Sequence, residues 1–107
     1  MFTRIVELTT KPGKNRQLSD TIHDKVLPIL KKQKGFVDET VLVSDKEENR
    51  VLSLSFWNTR EDAEEYHREH YQKVHETVRP LLDAEPVIRT FDVHTSTPHK
   101  IAAGKAA

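Results

Sequence analysis

At 107 residues the chain fits one domain of the usual size, about 100–150 residues, and its 36% hydrophobic content can fill one modest core. Acidic and basic side chains balance at 17 each, which leaves no net field to draw nucleic acid or an anionic membrane. The absence of cysteine excludes disulfides, thiolate metal sites and cysteine nucleophiles. No apolar run approaches the roughly 20 residues that span a bilayer, and an acid interrupts the N-terminal Met1-Phe2-Thr3-Arg4-Ile5-Val6-Glu7, so a cytoplasmic protein without a signal peptide is expected.

Phe2 to Leu8 is a short run of β-formers and reads as a first strand, closed by Lys11-Pro12-Gly13-Lys14. From Lys14 to Lys32 a helix follows, with Leu18, Ile22, Val26, Ile29 and Leu30 on one stripe. Pro28 is expected to kink or tighten its last turns, and Gly35 to end it. Gly35 to Ser44 forms a second strand, Asp45 to Asn49 a charged hairpin loop, and Arg50 to Trp57 a third strand. Alternation places Leu52, Leu54 and Phe56 on one face of that third strand and Ser53 and Ser55 on the other. Thr59 can cap a second helix, with Glu61 and Asp62 favourable in its first turn. That helix runs to Thr77 or Arg79, Pro80 interrupts it, and Leu81 and Leu82 occupy a short extra turn. Pro86 to His94 is a fourth strand. The tail, 95–107, has small and polar residues without a period, and is expected to be mobile or draped over a partner subunit.

The order is βαββαβ: an α+β, ferredoxin-like domain over residues 1–94 with a four-stranded antiparallel sheet. Two helices cover one face of such a sheet. Both faces nevertheless carry apolar groups, since Val87, Phe91 and Val93 alternate with Ile88 in the fourth strand, whereas a half-wet sheet has a cleaner polar side. A second copy of the chain is the simplest cover, making a homodimer; a monomer with a tolerably polar outer face is the alternative.

Three features in this order resemble the antibiotic biosynthesis monooxygenase (ABM) family. They are a strand followed by Lys11-Pro12-Gly13-Lys14 and a helix; Lys34-Gly35-Phe36 opening the second strand; and Phe56-Trp57 followed by Asn58-Thr59-Arg60-Glu61-Asp62, Tyr66 and His67. The resemblance implies a dimeric α+β barrel, two sheets face to face with helices outside, and a pocket in each subunit between sheet and helices. It also implies one of several outcomes for activity: cofactor-independent oxidation of aromatic polyketides or quinols, haem degradation, or no known reaction.

Around the second helix Ala63, Tyr66, Val74, Val78 and Leu81 share a broad arc at about 100° per residue. His67 and His70 lie inside that arc, Tyr66 and Tyr71 flank them, and His75 sits at its edge, where solvation is expected. A partly buried, neutral imidazole suits proton acceptance, so His70 and His67 are candidate catalytic residues; taken singly, each reads more readily as a packed core histidine. Tyr66 and Tyr71 are candidate substrate-binding residues. Trp57 is read as a core or hinge anchor, and the resemblance implies a place for it beside the substrate. Phe36 and Phe56 read as core, with Phe36 also a candidate wall of the pocket.

No metal site is expected. His67 and His70 are helix neighbours, but no spacing selects a third ligand from Glu7, Glu39, Asp92 or His94. Haem chemistry departs from the pattern, because strand one lacks the branch's asparagine, with Glu7 about where one would be sought, and helix two offers Tyr66 rather than tryptophan; His75 or His70 would have to serve as iron ligand. With three scattered glycines there is no phosphate loop and no cofactor is implied. The leading expectation is a cofactor-independent monooxygenase of a small aromatic or quinol-like substrate with O2. The alternative is a non-catalytic dimeric ligand-binding or stress-related barrel holding a small apolar ligand.

Overall fold

Stretches rich in β-branched and aromatic residues pair into a single antiparallel sheet, and amphipathic helices lie across one side of it. The computed structural model describes residues 1–97. In chain order the elements are β1 (Phe2–Thr9), α1 (Asn15–Thr21), a π-helical turn (Ile22–Val26), α2 (Leu27–Lys31), β2 (Phe36–Val43), β3 (Arg50–Trp57), α3 (Arg60–Val78), a 3-10 turn (Arg79–Leu81) and β4 (Val87–Asp92). The sheet order is β2-β3-β1-β4, with every pairing antiparallel. This is the expected ferredoxin-like α+β fold. Most of the tail reading falls on residues 98–107, outside the described residues. No helix among the described residues is long and apolar enough to cross a membrane.

The first helix departs from expectation in its middle. Proline has no N–H to donate and its ring crowds the carbonyl four residues back. Instead of tightening near Pro28, the helix widens just before it into the π turn Ile22–Val26, a local insertion of the kind that bends helices. The stripe survives: Leu18, Ile22, Val26 and Leu30 are all buried. Gly35 ends this region with φ +79°, and its carbonyl accepts a hydrogen bond from the Asn58 N–H at 2.8 Å. A β-carbon on Gly35 would run into the Asp62 side chain, so glycine also allows the close approach of α3. At the start of α3 Thr59 accepts from the Asp62 N–H at 3.1 Å, the expected cap.

The two sides of the sheet differ in chemistry. Toward the helices point Phe2, Arg4, Val6 and Leu8 of β1 and Val51, Ser53, Ser55 and Trp57 of β3, registered as neighbours by the pairs Phe2–Trp57, Arg4–Ser55, Val6–Ser53 and Leu8–Val51. Leu8, Val51, Trp57, Ala63, Tyr66, Val74, Val78, Leu81 and Leu82 join the helical stripe in one core. Each fully buried aliphatic side chain there contributes about 1.5–3 kcal/mol. On the other side Leu42, Leu52, Leu54, Phe56, Ile5, Val87 and Phe91 form an apolar field, aligned by the rows Leu42–Leu52–Glu7–Val87, Thr40–Leu54–Ile5–Arg89 and Asp38–Phe56–Thr3–Phe91. Among the described residues nothing covers it, and Leu42, Val87 and Phe91 are 46%, 46% and 50% exposed. Phe56, expected in the core, lies on this open side and is half-buried. Glu7 stands within the field, 3.3 Å from Arg89 and 3.7 Å from Arg50.

Candidate active site

A cavity opens between the helices and the centre of the sheet, where β3 presents serines instead of large side chains. Arg4, Glu39, Ser53, Ser55, Tyr66, Tyr71 and His75 form its polar wall, and Val6, Leu8, Ile22, Val26, Leu30, Val74 and Val78 its apolar one. It is narrow: about 40 Å³ of it is open to the centre of a water molecule. A single water needs roughly 10–15 Å³ by that measure, so the space suits a small ligand.

Arg4 is 4% exposed because the alternation of β1 turns it inward with Phe2, Val6 and Leu8. Its guanidinium carbon sits 5.2 Å from the ring centres of both Tyr66 and Tyr71, a double cation–π contact. Arg4 Nη2 donates to His67 Nδ1 at 2.9 Å. A guanidinium only donates, so Nδ1 accepts and His67 is the neutral tautomer protonated at Nε2. Burial, then the positive Arg4, push His67 below the usual imidazole range. Burial lowers Arg4 as well, against the raising influence of the two tyrosines, yet a guanidinium keeps its charge at any physiological pH.

Glu39 reaches the cavity through an irregularity of β2. The ladder shifts between Phe36 and Asp38, so Glu39 pairs with Ser55 and Val41 with Ser53, both inward-facing positions. Ser53 Oγ donates to Glu39 Oε2 at 3.2 Å. Among the described residues no cation forms an ion pair with Glu39. Burial pushes its carboxyl up to about 7, with Asp38 adding to the rise and the Ser53 bond opposing it. The cavity therefore holds a permanent cation and a carboxyl poised between its two protonation states. Tyr66, pushed up to about 12 chiefly by burial, and Tyr71, also raised by burial, remain neutral phenols.

The residues singled out from sequence divide among three places. Tyr66 and Tyr71 line the cavity. Trp57, fully buried, stacks on Tyr66 at 5.3 Å, donates from Nε1 to Ser55 Oγ at 2.9 Å and meets Phe36 edge-on at 5.6 Å; Trp57 and Phe36 back the wall without lining it. His67 points toward the sheet as its arc position implies, but α3 stands off β1 and β4 there, leaving an open cleft beside Phe2, Arg60 and Thr90, and His67 is exposed. It stacks on Tyr71 at 4.8 Å and bonds to Arg4, two residues of the cavity wall, without lining the cavity itself. His70 lies on the far side of Tyr66, in a groove with Gln33 and Lys34. His75 is the reverse case: expected in solvent, it is 18% exposed, lines the cavity and approaches Glu85 at 3.7 Å. Among the described residues no three His, Cys, Asp or Glu side chains gather as a metal site.

Sequence reasoning missed Arg4 as a site residue and considered Glu39 only as a metal ligand. For Arg4 the signal was present, a charge in phase with Phe2, Val6 and Leu8. For Glu39 the bulge hides it.

A search of curated protein sequences finds none that matches this chain. Solved structures share its fold at low identity. A monooxygenase of Streptomyces coelicolor from the gene ActVA-Orf6, in complex with nanaomycin D, superimposes with TM-score 0.78 at 14% identity, covering 92% of each chain. SnoaB of Streptomyces nogalater, a cofactor-independent oxygenase, gives TM-score 0.74 at 16% identity over 92% of this chain and 97% of its own. Rv0793 of Mycobacterium tuberculosis gives 0.71 at 13% identity over 91% and 98%. The sequence profile of the family described as antibiotic biosynthesis monooxygenase matches residues 1–77, so this chain belongs to the ABM family.

Proposed function

We propose that the protein is a cofactor-independent monooxygenase that oxidises a small aromatic or quinol-like substrate with O2, and that it works as a homodimer joined through the open apolar face of the sheet. One observation carries the enzymatic reading: a narrow cavity, apolar on one wall, in which a buried Arg4 and an uncompensated Glu39 face the same space. Apolar walls would hold an aromatic ring, and charged groups would handle the proton that must leave before the ring can react with O2. The balance is simple: an activated methylene loses two hydrogens and gains one oxygen atom, and the second oxygen leaves as water. Family membership and the oxygenases among the structural neighbours agree with this chemistry.

The dimer reading rests on the apolar field of β1–β4. Burying it at about 25 cal/mol per Å² supplies many kcal/mol before the cost of association. The test is oxygen consumption with a panel of hydroquinones and anthrones. Turnover of at least one, with stoichiometric quinone, is the expected result. No uptake across the panel, with tight binding of the same compounds, would favour the non-catalytic ligand-binding barrel.

A further inference from the structure

We infer that Glu39 is the catalytic base of this site and that Arg4 holds the oxyanion formed when the substrate loses its proton. The inference rests on the monooxygenase reading above and moves the chemistry from the histidines to two groups on strands.

Placement comes first. Arg4 on β1 and Glu39 on β2 are separated by β3, each registered against Ser55 from opposite sides. They line one cavity without pairing to each other. That separation fits a conjugated substrate, in which the proton leaves one atom and the charge settles on an oxygen across the ring. In an anthrone the methylene C–H bond breaks, the electron pair passes through the ring to the carbonyl oxygen, and the proton moves to a Glu39 carboxylate oxygen. The enolate gives one electron to O2, and the radical pair combines to a peroxide anion that takes back the proton from Glu39 as a hydroperoxide. The Glu39 carboxylate then removes the second methylene hydrogen as the O–O bond breaks, and that proton joins the departing hydroxide as water, leaving a quinone.

The remaining groups around Glu39 are consistent with this role. Asp38 adjoins it, β3 offers only the serine hydroxyls, and α3 contributes Tyr66, Tyr71 and His75. The first helix brings only aliphatic side chains to the cavity. Nothing there neutralises the carboxylate, and burial keeps it near 7, where a base both accepts and releases a proton readily. Arg4, clamped between two aromatic faces and His67, is held ready for an anion. His67 is then a positioning residue.

The experiment uses the full chain, Glu39→Gln, Glu39→Asp and Arg4→Met, each checked for folding by circular dichroism. One readout is kcat against pH with the best substrate of the panel. The other is the absorbance of bound 4-nitrophenol, which separates phenol from phenolate without turnover. Wild-type kcat should rise with pH through about 7, following ionisation of Glu39. Glu39→Gln should lose at least about 100-fold in kcat together with that limb, and Glu39→Asp should restore part of both. Arg4→Met should shift bound nitrophenol from phenolate toward phenol. Turnover by Glu39→Gln within threefold of wild type, with the limb intact, would overturn the assignment and leave the monooxygenase reading standing. A wild type that oxidises nothing, yet ionises nitrophenol in a manner dependent on Glu39 and Arg4, would uphold the proton-transfer site and remove the oxygenase.

Discussion

The two faces of the sheet reverse the usual arrangement. The face covered by the chain's own helices carries an arginine, a glutamate and two serines at its centre, whereas the uncovered face is a field of leucine, phenylalanine, valine and isoleucine. Polar groups are normally left to water and apolar ones enclosed. The inward polar groups bring a desolvation cost, which is the pattern of a functional site, and the outward apolar patch is the pattern of an interaction surface.

The largest effect should come from charging the outer face. Leu54, near the middle of that face, tolerates a carboxylate in a monomer, but in a dimer Leu54→Asp leaves an unpaired charge dry and should weaken association by about 3 kcal/mol or more. Sedimentation at micromolar concentration reads this directly: wild type should run as two copies and the variant as one. A wild type that runs as one copy would end the comparison.

The inner face predicts a smaller effect of opposite sign. Because Glu39 titrates near 7 in the fold and near 4.5 when unfolded, the unfolded chain releases this proton first as pH rises. The carboxyl therefore supports the fold fully below about 4.5, and that support is lost as pH climbs through 7. Glu39→Gln should match wild-type stability near pH 4 and exceed it by about 2 kcal/mol at pH 8, allowing for partial solvent screening. Urea denaturation at the two pH values measures the gap. A gain in stability paired with a loss of turnover is the signature of a group retained for chemistry.

The smallest effect should be that of His70→Ala. With its ring in the groove beside Lys34 rather than in the cavity, kcat should change less than about twofold, as oxygen uptake would record. A tenfold loss would return the histidine to the reaction.

Much of the architecture was legible because it rests on local signals. The helical stripe from Leu18 to Leu30, the Thr59 cap and the alternation in β3 and β4 each follow from a few neighbouring residues. The site was less legible. A helical wheel gives the direction of a side chain from its own axis and says nothing about how far the opposing layer stands away. His67 therefore points at the sheet and still meets solvent, while His75, at the edge of the arc, is enclosed by the strands and Pro86. Glu39 was hidden for another reason. Strict alternation would group it with Val37, which is 42% exposed, and only the bulge shifts the parity and sends it inward with Val41.

Ser53 and Ser55 carry one further consequence. The hollow exists because these two positions, in the middle of the sheet, omit the bulk that a packed core would place there. Each hydroxyl also holds a neighbour: Ser53 donates to Glu39, and Ser55 accepts from the buried Trp57 N–H. Resizing the chamber from serine to valine at either position therefore trades space for a lost hydrogen bond, to the carboxyl in one case and to the core indole in the other.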